Sequence, residues 1–569
     1  MNDHVYRGMK FFVNIALGGF LLLGLACSGG NGHLELVLPA GADEATQAID
    51  ADTLKSIVEA LSSDEMSGRG PATDGDVTAR TYIRDFLAGI GAQPGAADGG
   101  WEQPLGLVSV TAAMPAMWSF RAGDETVELA WWDDYVASSG VQDDSVSVED
   151  AELVFVGYGI TAPEENWDDF KGSDLGGKVL VMLNNDPDWD PEMFAGERRL
   201  YYGRWTYKYE SAARQGAAGV IIIHTTASAG YGFQVVQNGW SGPQFQLPAG
   251  DGPSIGFEGW ATEDAARRLV LLGGHDLDAL VAQARSREFE PVPLGITTSL
   301  EFTNDINRNS LSANVLGLIQ GSDPEVADEV VVYTAHHDHL GIGKADADGD
   351  GIYNGARDNA SGCATVLAVA NAFAALPTPP RRSILFLLVG AEEQGLLGSK
   401  LYAEDPTVHP GRIAANINVD SAAIFGATRD VGVIGSGKSE LEDLLVLAAA
   451  KQNRVVVDEP FPDKGYYYRS DQFNFAKIGV PALYFKAGTD SIEHGSEWGR
   501  AIEDRWRDER YHQPADEIYD EWDFAGMVED ARLAFWVGLH VANTDRLPGW
   551  KPGDEFEGIR QRMLDQRPD

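Results

Sequence analysis

The chain has 569 residues, 44% of them hydrophobic and 10% aromatic, a globular composition too long for one ordinary core, so about two to three domains are expected. Its 43 basic and 87 acidic residues give a formal net charge of −44, a surface that repels nucleic acid and anionic membranes and excludes both as charge-attracted partners. Only two cysteines are present, Cys27 and Cys363, so there is no disulfide framework.

In chain order, Arg7 and Lys10 precede an apolar run over Phe11–Ala26, short for a membrane span and right for the core of an export signal. Cys27 follows Leu25-Ala26 and precedes Ser28-Gly29-Gly30, which resembles a bacterial lipoprotein box with Gly24 where leucine is usual. The expectation is a signal over 1–27, a lipid anchor at Cys27 with ordinary cleavage or an uncleaved anchor as alternatives, and an exported protein, periplasmic or at the cell surface and anchored in the outer membrane. A polar linker over 28–45 follows. Helices are expected at Ile49–Leu61, with Asp52 as N-cap, and at Asp76–Ile90. Turn-rich sequence then runs to about residue 110, and 46–114 is assigned to the start of the main domain.

Residues 115–295 have their own character. Strands are expected at Ala116–Arg121, Val127–Ala130, Glu152–Val156, Gly177–Leu183 and Gly219–Ile223, with a helix at Tyr207–Gln215. From about 310 the pattern changes to strand–helix alternation. Strands are expected at Glu329–Ala335, Ser383–Val389, Ile413–Val419, Val431–Gly435 and Ala482–Lys486, and helices at Ala360–Leu376, Ser439–Gln452 and Phe524–Asn543. Such alternation predicts an α/β domain, over 296–545, with a mixed, mostly parallel central sheet covered by helices. The remainder, 546–569, reads as a polar, poorly packed tail.

Five residues in this region suit a pair of divalent ions: His336, Asp358, Glu393, Asp420 and His512. Three of their segments follow expected strands, where active sites of parallel sheets gather. His336 and Asp338 are two apart and face one side of an extended segment, so Asp338 can orient the ligand. His337 faces the other way and reads as packing, and His339 reads as loop structure. Asp358 begins a turn into a small-residue helix and can offer one oxygen to each metal. Glu392 and Glu393 are adjacent carboxylates that repel unless cations stand between them; one can ligate while the other takes a proton from water. Asp420 after a buried strand is costly unless metal-bound. Tyr511, beside His512, can donate to a developing oxyanion. Cys363 lies in an apolar helix and reads as buried packing.

Together these segments resemble the exported zinc aminopeptidases with a co-catalytic metal pair, the family that also includes glutamate carboxypeptidase and the transferrin receptor ectodomain. The resemblance extends to Leu61–Gly70 and to Arg469–Ala476, and the order of elements over 115–295 resembles an inserted β-rich protease-associated domain. It implies two Zn²⁺ ions bridged by Asp358, with His336 and Asp420 on one and Glu393 and His512 on the other. It also implies Glu392 as general base, Asp338 as orienting acid, Tyr511 as oxyanion donor, peptide substrates, and a cis peptide after Asp358. Arg357 stands where many members have a second aspartate.

The leading expectation is a di-zinc exopeptidase removing N-terminal residues. Alternatives are a carboxypeptidase or dipeptidase on the same fold, a glutaminyl cyclase-like acyl transfer enzyme, and a non-catalytic receptor-like binding protein. Arg469 is a candidate for neutralising a terminal carboxylate, with simple pairing to a local acid as the alternative. The loop Asp346–Gly351 resembles the start of a calcium loop, but Arg357 stands at the twelfth position where that pattern needs glutamate. An additional Ca²⁺ site there stays open beside a plain solvated acidic loop.

Overall fold

Every strand expected after residue 310 is present. The computed structural model describes residues 35–191, 193–250, 252–459 and 461–568. The export signal and Cys27 lie outside them. In the sheet, Ser383–Val389, Val330–His336, Ile413–Asn418 and Ala482–Ala487 run parallel in that order. Asp430–Val433 adds on antiparallel to Ala482–Ala487, and Val455–Asp458 pairs parallel with it. On the other side, the strand Val292–Ile319 pairs antiparallel with Ser383–Val389 and with Glu102–Ala112. The three innermost strands are buried at every position, which is why they read as continuous apolar runs rather than alternating ones.

Helices Ala51–Leu61, Ser361–Ala374 and Ala525–Asn543 share one core with one sheet face, through residues such as Leu54, Val366 and Phe535. On the opposite face Tyr402 and Phe475 pack with Val332, Leu385 and Leu387. Cys363 is buried in this first core as a free thiol and donates to the His336 carbonyl at 3.1 Å.

Several boundaries differ from expectation. The first long helix is capped by Asp50, whose carboxylate accepts from Thr53 N at 2.9 Å, rather than by Asp52. The turn-rich stretch before residue 110 contains the strand Glu102–Ala112. Pro104 and Gly106 disguise it, yet Leu105, Leu107 and Val110 are buried and the whole strand is paired. The last segment is not a loose tail. Trp550 and Phe556 are buried, the Trp550 indole donates to Gly479 O at 3.0 Å, and helix Glu557–Asp565 places Arg560 against the carbonyls of Pro410 and Ile413 at 3.1 and 3.0 Å. Two aromatic residues in a polar stretch are enough to dock it.

The module over 115–295 is built on a second sheet. By pairing, its order is Glu125–Ala130, Met117–Ala122, the first part of Val292–Ile319, Ser145–Phe155, Val179–Leu183, Gly219–His224, Phe257–Thr262 and Tyr135–Ser139. It also carries the helices Trp205–Arg214, Glu263–Leu272 and Leu277–Ala284, so it is a mixed α/β unit rather than simply β-rich. Its far boundary falls inside one continuous strand. Val292–Thr303 pairs with the module and Asn304–Ile319 with the main sheet, so no flexible linker separates the two.

Candidate metal centre

The three parallel strands that end together place three of the expected residues. His336 is the last residue of its strand and is paired with Val389, while Thr334 is paired with Asn418. Glu392 and Glu393 therefore emerge on one side of His336 and Asp420 on the other. Asp358 arrives from the turn before Ser361–Ala374, and its peptide bond to Asn359 is cis. His512 arrives from the loop after helix Ser496–Glu509, in a left-handed backbone conformation with φ 55°.

Asp358 turns one oxygen to each histidine. Its Oδ1 is 3.3 Å from His336 Nε2 and its Oδ2 is 3.3 Å from His512 Nε2. Asp420 Oδ1 lies 3.8 Å from His336 Nε2, and Glu393 Oε2 lies 3.0 Å from His512 Nε2. Glu392 Oε2 stands 3.9 Å from His336 Nε2. A tetrahedral site with bonds of about 2.0–2.2 Å has ligand–ligand edges of about 3.3–3.6 Å, and the histidine–carboxylate separations of 3.0–3.8 Å bracket that value. The donor groups close enough to share an ion are His336, Asp358 and Asp420, then His336, Glu392 and Glu393, and then His339, Asp358 and Glu393. His512 Nε2 is buried without a hydrogen bond of good geometry, as an atom reserved for a metal would be.

The electrostatics divide the adjacent glutamates. Burial, then the Glu393 and Asp471 charges, push the Glu392 carboxyl well above its ordinary range. Burial works the same way on Glu393, but the His512 cation outweighs it and holds that carboxyl down to about 2. Two carboxyls driven apart in this way are suited to different tasks, one holding a proton and the other staying anionic as a ligand. Burial opposes protonation of His512, yet Glu393 and Asp358 raise it to about 10. The same field that draws protons to this cluster draws divalent cations, and binding them releases those protons.

The surrounding residues hold this geometry. Asp338 was expected behind His336. Its backbone carbonyl is 3.2 Å from His336 Nδ1, whereas its carboxylate, 3.7 Å from that nitrogen, accepts from the amides of Glu392 at 3.0 Å and Glu393 at 3.3 Å. His337 packs on Asp76 at 3.0 Å, as expected for a structural residue. His339 is more than loop structure: its Nδ1 is 2.7 Å from Glu393 Oε1, which leaves Oε2 facing His512. His339 lies past the strand end, in irregular backbone that strand alternation does not describe. Tyr511 stacks on His512 with ring centroids 4.0 Å apart, and its hydroxyl accepts from Arg469 Nη2 at 3.3 Å. A hydroxyl that accepts from a guanidinium keeps its own proton to donate.

Sequence reading missed three supports. The Asp516 carboxylate accepts from the amides of Arg357 and Asp358 at 3.2 and 3.0 Å. Asn359 Oδ1 accepts from Gly362 N and Ser421 N at 2.9 and 3.0 Å, tying the Asp358 turn to the Asp420 loop. The buried Arg69 guanidinium donates to the carbonyls of Leu61, His337, Asn354 and Gly355 at 2.6 to 2.9 Å. An arginine within an otherwise small-residue stretch, Ser67-Gly68-Arg69-Gly70, was the available signal. Arg357 is paired with Glu503 at 2.8 Å and lies over Trp506, so its charge is absorbed locally.

Among the described residues, Asp346, Asp348 and Asp350 do not gather as a metal-binding group; Asp346 Oδ1 accepts from the amides of Asp348 and Asp350 at 2.9 and 3.0 Å. The cleft above the histidine–carboxylate cluster is a cavity of about 1090 Å³ with the module as one wall. The module touches the site directly. Asn238 Nδ2 donates to His512 O at 3.0 Å, and Phe245 N, in a strand paired to Glu102–Ala112, donates to Gln394 Oε1 at 3.0 Å.

Residues 314–535 match the family described as peptidase family M28. The M28 match covers all of the expected ligands. A mouse (Mus musculus) protein described as aminopeptidase NAALADL1 is 31% identical over 221 residues, 33% of this chain and 27% of that protein. A protein of Mycobacterium tuberculosis described as a probable lipoprotein aminopeptidase, LpqL, is 24% identical over 330 residues, 53% of this chain and 62% of the relative. The chain thus spans less than two thirds of the length of either relative. An aminopeptidase structure from Aneurinibacillus sp. strain AM-1 superposes with a TM-score of 0.52 at 20% identity, over 89% of this chain and 97% of that one, and shows that the fold is shared.

Proposed function

We propose that this M28 protein is a di-zinc exopeptidase that removes N-terminal residues from peptides. The observation that carries the reading is Asp358, with one oxygen facing His336 and Asp420 and the other facing His512 and Glu393. These five residues would hold two Zn²⁺ ions, which when bound polarise a peptide carbonyl and lower the pKa of water. Glu392 accepts the proton of the attacking water and returns it to the leaving amine; its raised affinity for a proton suits both transfers. Asp338 fixes both glutamates through their amides, and the Tyr511 hydroxyl faces the carbonyl oxygen as charge develops on it.

The module wall over 115–295, read here as a protease-associated domain, restricts the cleft to chain ends and short peptides. Intact folded proteins should be cleaved more slowly than short peptides. An export signal with a lipid anchor at Cys27 completes the reading; the description of the mycobacterial relative as a lipoprotein aminopeptidase supports it.

The test is a panel of aminoacyl amides with the zinc-loaded protein, the chelated protein and a Glu392→Gln variant. Chelation abolishes hydrolysis and Zn²⁺ restores it. Glu392→Gln lowers kcat about 100-fold or more while zinc stays bound. Full activity of metal-free protein, or near-normal kcat in Glu392→Gln, overturns the assignment.

A further inference from the structure

One acid in the module wall of the cavity has no partner. Glu258 belongs to the module strand Phe257–Thr262, and its neighbours on the two flanking strands are Val220 and Ser138. Strand alternation puts it on the same sheet face as Trp260, and it lines the cavity half-buried. Among the described residues its carboxyl makes no hydrogen bond and no ion pair. Helix Trp205–Arg214 packs on this face through Tyr209, Ala212 and Ala213. Tyr209, 4% exposed, also lines the cavity, and its hydroxyl is buried with no hydrogen-bond partner.

The surroundings are aromatic and acidic. The Trp205 ring lies 5.9 Å from that of Tyr209 and 4.8 Å from that of Trp240, and Trp240 lies 5.7 Å from Trp260. Burial first, and then the charge of Glu210, push the Glu258 carboxyl up to about 8. Glu210 is a second carboxylate, 3.8 Å from Arg214 and accepting from the Tyr201 hydroxyl at 2.9 Å. No cation and none of the metal-site carboxylates is among the charges that act on Glu258. An acid on an apolar sheet face is unfavourable without a partner, and buried polar groups are nearly always paired. Here two unpaired groups, a carboxyl and a hydroxyl, open on one cavity among aromatic rings. A cation with several N–H donors satisfies both, and the ring faces attract it.

The wall also fixes where along a peptide that cation sits. A Cβ on Gly395, in the loop that carries Glu392 and Glu393, would stand 3.9 Å from the Trp205 ring edge. From there the rings lead through Trp240 to Trp260 and the face that bears Glu258, away from the metal-site residues. An exopeptidase that removes one N-terminal residue leaves the rest of the peptide on the other side of the scissile bond, and an extended chain advances about 3.3 Å per residue. We propose that Glu258, with Tyr209 and the rings of Trp205 and Trp240, forms a cation-binding subsite that selects peptides carrying lysine or arginine about two or three residues beyond the scissile bond. This rests on the exopeptidase reading above. The net charge of −44 draws basic peptides to the same protein.

The test compares lysine with norleucine, which has the same carbon chain and no ammonium. With zinc-loaded protein at pH 8, kcat/KM is measured on C-terminally amidated leucyl peptides that carry the pair at the first, second or third residue after the scissile bond. A fourth pair carries it in the residue removed. In the wild type, lysine is preferred about 10-fold or more at the second or third position. Glu258→Gln, which has the shape of the protonated carboxyl, makes those pairs equal, and Glu258→Asp keeps part of the preference. Calorimetric binding of the same peptides to zinc-loaded Glu392→Gln protein, with and without Glu258→Gln, gives a readout independent of turnover. Equal lysine-to-norleucine ratios in the wild type and Glu258→Gln at every position, in kinetics and in calorimetry, overturn the subsite. A preference confined to the residue removed overturns it as well. Absence of turnover of every peptide by the wild type overturns the exopeptidase reading instead, and the calorimetric ratios still decide whether Glu258 binds the cation.

Discussion

Replacing Asp338 by asparagine separates two roles that its position allows. Behind His336 it would act on one ligand; as found, its carboxylate accepts from the amides of Glu392 and Glu393 at 3.0 and 3.3 Å and so sets the turn that carries base and ligand together. Asparagine has the same shape but one acceptor oxygen, so its amide NH₂ must face one of the two N–H donors. The change removes one charge-assisted bond, weakens the other, and leaves a buried amide without a partner, a total of about 3 kcal/mol. That loss falls on the folded, metal-competent arrangement of the turn and corresponds to about 100-fold in zinc affinity, in kcat/KM, or divided between them. Zinc affinity is measured by competition with a chromogenic chelator, and kcat/KM on an aminoacyl amide at saturating zinc. Because His336 Nδ1 contacts the Asp338 backbone carbonyl at 3.2 Å, which the substitution keeps, His336 stays oriented. Wild-type zinc affinity together with wild-type kcat/KM in Asp338→Asn would refute this account of the turn.

Glu393→Ala removes a ligand rather than its support, and zinc affinity falls by more than the about 100-fold reached by outer-shell changes, as read by metal analysis after dialysis. His224, buried in the module with its Nε2 3.1 Å from Tyr231 O, is lowered by burial from 6.5 to about 4. Its folded pKa lies below the unfolded one, so as pH falls from 6.5 to about 4 the unfolded chain takes up a proton that the folded chain refuses, and stability is lost in that window. Thermal unfolding at pH 7 and pH 5 should show about 2 kcal/mol of loss in the wild type that His224→Gln does not show; equal losses would sink it. Trp550→Ala, which removes a buried indole and its bond to Gly479 O, destabilises by about 3–5 kcal/mol in denaturant titration. A loose tail would instead leave the midpoint unchanged.

The central strands were legible because they are buried on both faces, so Val330–His336 and Ser383–Val389 appear in the sequence as unbroken apolar runs. The candidate ligands stood out because three of them, His336, Glu393 and Asp420, lie at or within a few residues of the ends of such runs. Glu102–Ala112 was not, because its pairing partner, Asn304–Val315, lies about two hundred residues away and overrides the local turn signals of Pro104 and Gly106. The far edge of the module leaves no local signal for a related reason: Val292–Ile319 is one strand shared by two sheets. Local pattern also misleads in the opposite direction. Gly432-Val433-Ile434-Gly435-Ser436-Gly437-Lys438-Ser439 has the spacing of a phosphate-binding loop. Its amides at Gly437, Lys438 and Ser439 are taken by the Glu442 carboxylate at 2.7 to 2.9 Å, and Lys438 is paired with Glu555 at 2.9 Å.

Sequence alone thus determined the α/β class and named the candidate ligand residues that the fold gathers in one place, because burial period and donor chemistry are written locally. Which carboxylate oxygen faces which histidine, and why the Glu392 carboxyl is pushed up while that of Glu393 is held down, were decided only by the tertiary structure. Charge separation and desolvation depend on distances between segments, and those distances are set by the packing of the whole chain.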